Sequence, residues 1–266
     1  MIERLAGAVA LHLEVEGDGE PALVLMHGFA GSARNWRPQQ RALRSRHRVA
    51  LFDVRGHARS EAPRDPAAYA PEQFAADFGR VLDHLGERAA VVGGISMGAG
   101  IALRFALAHP VRVRGLVLAA FPPAATGGQR SWCLDFADAI ERDGLEAAGA
   151  RYAWGSESGL DPDAAKLVKQ GFLEHAPHAI ANTLRGLLAV QPGAAELAPA
   201  LARLRAPALV VVGGADRVSL APSRELAKAL PEARLEVTEG AGHVVNLAAR
   251  ERVNALLREF LDTLDT

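Results

Sequence analysis

A serine becomes a nucleophile when it is held clear of its own backbone, beside a base and facing hydrogen-bond donors. Ser96 has the local setting for the first requirement. The apolar run Val91-Val92-Gly93-Gly94-Ile95 reads as a strand, and Ile101 to Ala108 continues as a helical pattern, so Gly94-Ile95-Ser96-Met97-Gly98 spans a strand-to-helix turn. Gly94 and Gly98 put no side chain where strand and helix nearly collide, which allows the turn to be sharp enough to expose Ser96 Oγ. The helix that follows points its free N–H groups and positive end at the place where an oxyanion would form. The alternative is a glycine-rich turn whose serine only caps the helix.

Two further segments could complete a charge-transfer set. Val210-Val211-Val212-Gly213-Gly214-Ala215-Asp216 is a buried strand leading into a glycine turn with a carboxylate beyond it, and Gly240-Ala241-Gly242-His243 follows the next strand. In a parallel sheet such strand ends share the edge at which ligands bind, so Ser96, Asp216 and His243 are expected to converge. The chemistry needs each type. His243 would take the serine proton, and Asp216 would hold the imidazole in the required tautomer and stabilise its charged form. His27, His47, His57, His84, His109, His175 and His178 lack the glycine-flanked loop after the last strand, and Asp53 lies before the nucleophile. A capping or turn-forming aspartate is the alternative role for Asp216. Leu25-Met26-His27-Gly28-Phe29 is an early strand ending in a glycine loop, and the backbone N–H groups of Phe29 and Met97 are the candidate donors to a tetrahedral oxyanion.

These segments require a sheet to position them. Continuous Val, Leu and Ala runs at 8–15, 22–26, 48–52, 89–93, 114–119, 208–212 and 234–237 read as strands, most of them buried on both faces. Helical patterns at 71–85, 97–109, 222–230 and 246–264 alternate with them, which is a doubly wound α/β plan. The alternation fails between Phe121 and Leu204, where Asp161-Pro162 and Pro177 read as helix starts. The domain reading is therefore a core in two parts, 1–121 and 205–266, with a helical lid at 122–204.

The 30 basic and 31 acidic residues are dispersed, with a formal net charge of -1, so no basic stripe calls for nucleic acid. Cys133 stands alone, which excludes an internal disulfide and a cysteine metal site. No apolar segment reaches membrane-spanning length, and Met1 to Glu20 lack the pattern of a secretion signal. The expectation is a cytoplasmic protein without metal or cofactor, acting on a small molecule.

The set His27-Gly28-Phe29, Asp53-Val54-Arg55-Gly56-His57-Ala58-Arg59-Ser60, Gly94-Ile95-Ser96-Met97-Gly98, Gly214-Ala215-Asp216 and Gly242-His243 resembles the α/β-hydrolase fold family, collinearly over nearly the whole chain. The resemblance implies the same triad of Ser96, Asp216 and His243, the same oxyanion donors, and a structural role for Asp53 to Ser60. The family's dehalogenases and many epoxide hydrolases carry Asp at the elbow, where this chain has Ser96. Within the serine branch it is most similar to small bacterial esterases, enol-lactonases and carbon-carbon bond hydrolases. Menaquinone-pathway lyases carry an Arg shortly after the serine, where this chain reads Gly98-Ala99-Gly100-Ile101.

The expected function is carboxylic-ester hydrolysis through an acyl-enzyme, on a small and largely apolar ester. Enol-lactone or carbon-carbon bond hydrolysis at the same site, and ligand binding without turnover, are the alternatives. Trp132, Phe136, Trp154, Phe172 and Leu188 are candidates to line an apolar pocket, or else are the buried faces of lid helices. Arg151, Lys166, Lys169 and Arg185 could receive a substrate carboxylate, or else are solvated helix residues.

Overall fold

The computed structural model describes residues 1–155 and 162–264. Eight strands form one sheet: β1 (Ile2–Leu5), β2 (Leu11–Glu16), β3 (Leu23–Met26), β4 (Val49–Phe52), β5 (Ala90–Ile95), β6 (Val113–Ala119), β7 (Ala208–Gly213) and β8 (Ala233–Thr238). Their spatial order is β1-β2-β4-β3-β5-β6-β7-β8. The pairs from β4 to β8 are parallel, while β2 runs antiparallel to both β1 and β4. Every residue of β3, β4, β5 and β7 is buried, as the unbroken apolar runs require of strands covered on both faces.

Alternate side chains of those strands feed two cores. Val24, Met26, Val92 and Leu118 pack with Phe74 and Phe78 of α2 (Pro71–Leu85) and Phe105 of α3 (Met97–Ala108). Leu23, Leu25, Val91 and Val117 pack on the other face with Leu43 of α1 (Arg37–Leu43). α2 shows why its sequence makes a helix: Pro71 presets its first turn, Phe74, Phe78, Val81 and Leu82 form one buried stripe, and Gly86 ends it at φ 72°.

Between β6 and β7 lie α4 (Gly127–Tyr152), α5 (Pro162–Phe172), α6 (Pro177–Gly186) and α7 (Ala194–Leu201). α4 is broken at Gly144, whose φ of 81° and ψ of 169° interrupt the helical path. Asp161, expected as the cap of α5, lies outside the described residues. The chain then continues through α8 (Leu220–Ala229), α9 (Val245–Ala248) and α10 (Arg250–Asp262), whose Leu256, Leu257 and Phe260 join the second core.

Three expectations need adjustment. β1 was not expected, because its four residues alternate half-buried with exposed and hold only as an edge partner of β2. The strand expected from residue 8 begins at Leu11. The last helix is two, divided where Ala249 takes φ -118° and ψ 44°. No helix among the described residues is long and apolar enough to cross a membrane.

Candidate functional site

Ser96 sits between the end of β5 and the start of α3 with φ 54° and ψ -117°, a conformation that L-residues seldom adopt. The cost is held by the packing around it. A carbon added to Gly94 would lie 2.6 Å from the Gly98 carbonyl carbon and 2.7 Å from Met26 O, so helix and strand are in backbone contact. Gly28 lies against the other side of the turn, where an added carbon would be 3.5 Å from Ser96 Cβ. The loop after β3 is thus placed directly beside the hydroxyl.

The two candidate donors belong to different elements beside this turn. Met97 is the first residue of α3, and its N–H has no acceptor within the helix. Among the described residues, the Phe29 N–H has no backbone or side-chain acceptor either. The loop that carries it is braced by His27, whose Nδ1–H donates to Gly28 O at 2.7 Å while Nε2 accepts from the Val54 N–H at 3.1 Å. That pair of bonds defines a neutral tautomer. Burial pushes the His27 pKa down to about 4, partly countered by Asp53, so the ring stays uncharged as a brace. Asp53 accepts from the Ala33 N–H and from Arg59, the structural role expected of its segment.

On the far side of the edge, Asp216 and His243 meet. His243 Nδ1–H donates to Asp216 Oδ2 at 2.8 Å, and the loops that carry them are stitched together by the Ala215 N–H donating to Ala241 O at 2.9 Å. The other carboxylate oxygen, Oδ1, accepts from the N–H groups of Val218 and Ser219, both at 3.1 Å. Burial raises the Asp216 pKa, but the His243 hydrogen bond, its charge and the two backbone donors outweigh it and hold the carboxyl below its ordinary value. Among the described residues, the Ser96 hydroxyl makes no hydrogen bond, so His243 is bonded to Asp216 and not to Ser96.

Sequence reasoning missed two features of this region. Ser219, with a fully buried side chain, places its Oγ 3.3 Å from His243 Nδ1. Asn246, three residues beyond the histidine, donates to Asn35 O at 2.8 Å, and Gln39 donates to Asn246 O at 2.9 Å and Asn254 Oδ1 at 3.0 Å. This buried amide strut ties the histidine loop and α10 to the segment after the Phe29 loop. Neither leaves a sequence signal, since each depends on a pairing of distant, individually ordinary polar residues.

The expected pocket residues separate into two groups. Phe136 and Phe172 are buried and stacked on each other at 5.7 Å and 9°, forming the interior of the helical insert. Trp132 lies edge-on to Phe136 at 5.4 Å and Trp154 edge-on to Phe172 at 5.3 Å, both half-buried, while Leu188 packs against this cluster and the main core. Of the expected cations, Lys169 pairs with Glu146, and Arg185 pairs with Glu141 and Asp138, while Arg151 lies over the Tyr152 ring. A surface groove of about 890 Å³ is lined by Met1, Glu3, Glu16, Arg44, Arg48 and His84, at the opposite ends of the strands from Ser96. Its charges are satisfied in pairs such as Glu3 with His84 and Arg44 with Glu16. No cluster of metal-ligating side chains occurs among the described residues.

Residues 21–249 match the sequence profile of the alpha/beta hydrolase fold family. The chain belongs to that family. A Bacillus subtilis protein named as a 2-succinyl-6-hydroxy-2,4-cyclohexadiene-1-carboxylate synthase is 30% identical over 91% of each chain. A Variovorax paradoxus protein named as the carbamate hydrolase RutD is 33% identical over 94% of this chain and 96% of its own. Among solved structures, a thermophilic esterase from Thermogutta terrifontis superposes with a TM-score of 0.87 at 25% identity over 100% of both chains. An enol-lactonase from Burkholderia xenovorans superposes at 0.79 with 27% identity, over 96% of this chain and 97% of its own. This alpha/beta hydrolase therefore shares its full architecture with enzymes that open esters and lactones.

Proposed function

We propose that the protein is a serine carboxylic-ester hydrolase working through an acyl-enzyme. The observation that carries the reading is the strained Ser96 between backbone-packed β5 and α3, on the same sheet edge as an imidazole locked to a buried carboxylate at 2.8 Å. Ser96 Oγ attacks the ester carbonyl and passes its proton to His243 Nε2, with Asp216 stabilising the imidazolium. The Phe29 and Met97 N–H groups receive the oxyanion. His243 then protonates the departing alcohol and, in the second half, takes a proton from the water that releases the acid. The lack of a Ser96-His243 hydrogen bond fits this reading, since such bonds are often long before substrate binds and tighten with it.

The segment 122–204 acts in this reading as a lid over a core formed by 1–121 and 205–266. Trp132, Trp154 and Leu188, the half-buried members of the hydrophobic cluster of the insert, contact the acyl group in this reading, with Phe136 and Phe172 behind them. The substrate in this reading is a small, largely apolar ester, a choice supported by Lys169 and Arg185 being neutralised by acids of the insert and by Arg151 lying over the Tyr152 ring, while Lys166 is an exposed residue of α5. The lyase reading is disfavoured by the run Gly98-Ala99-Gly100-Ile101, which follows the serine without an Arg.

Turnover of p-nitrophenyl acetate and butyrate, with stoichiometric labelling of Ser96 by a fluorophosphonate, tests the proposal. Ser96→Ala should abolish both, with turnover falling by a factor on the order of 10⁶ if the triad acts as a unit. Labelling without multiple turnover would leave a ligand-binding protein. A second reading, enol-lactone hydrolysis, draws on the Burkholderia neighbour; a much higher kcat/KM on a carboxylated enol-lactone than on neutral esters would replace the first.

A further inference from the structure

The loop that carries the Phe29 amide is fastened at its two ends to the core and at its apex to the helical insert. His27 and Val54 hold its start, and Asp53 holds its end through the Ala33 N–H at 2.7 Å. Between them, the Gly31 N–H donates to Gly28 O at 3.0 Å across a tight turn in which Ala30 takes φ 52°. No core side chain makes a hydrogen bond to residues 29–31 among those described.

The insert does. The Phe29 ring meets Phe136 and Phe172 edge-on, each at 6.2 Å. The Gly31 carbonyl lies 3.1 Å from Nε2 of His175, a buried residue just beyond α5, whose Nδ1 lies 3.1 Å from Phe172 O. The His57 ring packs edge-on against His175 at 5.2 Å and fixes its plane. Arg34, three residues past Gly31, is paired with Glu174. Ring, carbonyl and ion pair all connect one short segment, Phe172 to His175, to one short loop, Phe29 to Arg34.

We infer that His175 is a positioning residue for the oxyanion hole: in the tautomer that carries its proton on Nε2 it donates to Gly31 O and holds the turn that aims the Phe29 N–H, so the seat of the lid and the stabilisation of the oxyanion are a single variable. The inference rests on the serine-hydrolase reading above. A peptide turn whose carbonyl is fixed cannot rotate its neighbouring amides freely, and a donor displaced by a fraction of an ångström is lost to the transition state more than to the ground state. The lid then does more than enclose substrate. When it lifts, the loop loses its outer support and the hole loosens with it.

The test compares His175→Leu, His175→Gln and Arg34→Ala with the wild type in kcat and KM on p-nitrophenyl butyrate, and in affinity for an aliphatic trifluoromethyl ketone, whose serine adduct carries an oxyanion. His175→Leu should lower kcat about 10- to 100-fold, a fraction of the 10²- to 10³-fold cost of losing a donor outright. The ketone should bind more weakly by a similar factor, with KM changed less than about 3-fold. His175→Gln, which returns an N–H donor, should recover most of the loss. Arg34→Ala, at an exposed position, should show a smaller loss of the same kind and keeps the test decisive if the leucine variant does not fold. A variant set that raises KM while kcat and ketone affinity hold would make His175 a wall of the pocket and overturn the inference alone. A wild type with neither ester turnover nor fluorophosphonate labelling would overturn the serine-hydrolase reading and this inference with it.

Discussion

Gly98 abuts the carbonyl oxygen of His27: a carbon added at Gly98 would lie 2.6 Å from that oxygen and 2.6 Å from Met26 O. The helix behind the candidate nucleophile and the strand leading to the candidate oxyanion loop are therefore in main-chain contact. Their separation is set by the absence of one methyl group.

Gly98→Ala should push α3 off β3, costing about 1 to 3 kcal/mol as an overpacked core substitution and lowering ester turnover further than stability alone explains. Urea midpoints and kcat measured side by side check this. Gly128→Ala is the control, since nothing lies within 4 Å of its added carbon; it should be neutral or stabilising by up to about 1 kcal/mol in its helix.

Asp216→Asn should leave the fold intact, because the side-chain oxygen can still accept from Val218 and Ser219. It should lower kcat by about 10⁴, since an amide favours the wrong imidazole tautomer. Retention of more than a tenth of wild-type kcat would remove Asp216 from the proposed triad.

Stability should fall in mild acid. Burial holds His27 at about 4 and His57 well below the ordinary 6.5, so both are neutral in the fold and take up protons on unfolding. With folded values depressed, their contribution is fully present above pH 6.5 and is lost as pH falls from there toward 4. For His27 alone the shift from 6.5 to about 4 corresponds to about 3 kcal/mol. Urea unfolding at pH 7.5, 6 and 4.5 should show this slope, and His57→Phe should flatten it. An unchanged slope would mean that His57 takes up no proton on unfolding.

Arg55 and Asp77 form a bidentate pair at 2.7 and 2.8 Å, with side chains 4% and 1% exposed. Asp77→Ala leaves the guanidinium buried without its counter-charge and should cost about 3 to 5 kcal/mol, read by thermal or urea unfolding. Asp77 lies on α2 and has no part in the proposed chemistry, so any folded fraction should retain wild-type KM.

The doubly wound plan was legible because its central strands are unbroken apolar runs and its turns carry glycine where backbones touch, as at Gly94 and Gly98. The meeting of Asp216 with His243 was legible from their places after consecutive strands. β1 was not, because four alternating residues at an edge carry too little pattern. The contacts of His175 and Asn246 were hidden for a different reason: each depends on a partner more than 140 residues distant, Gly31 for one and Asn35 for the other. Phe136 and Phe172 were legible as apolar and aromatic, but nothing in a helix pattern tells a ring that faces substrate from one that faces another ring.

The strut from Asn246 through Gln39 to Asn254 makes the last tenth of the polypeptide a fitted part. A chimaera that borrows its carboxy-terminal helices from another family member would import a histidine loop cut to a different template, and would need the matching amide near residue 39 transplanted along with it. Shuffling of such enzymes should therefore succeed when both ends come from one parent and fail when they do not, whatever the origin of the middle.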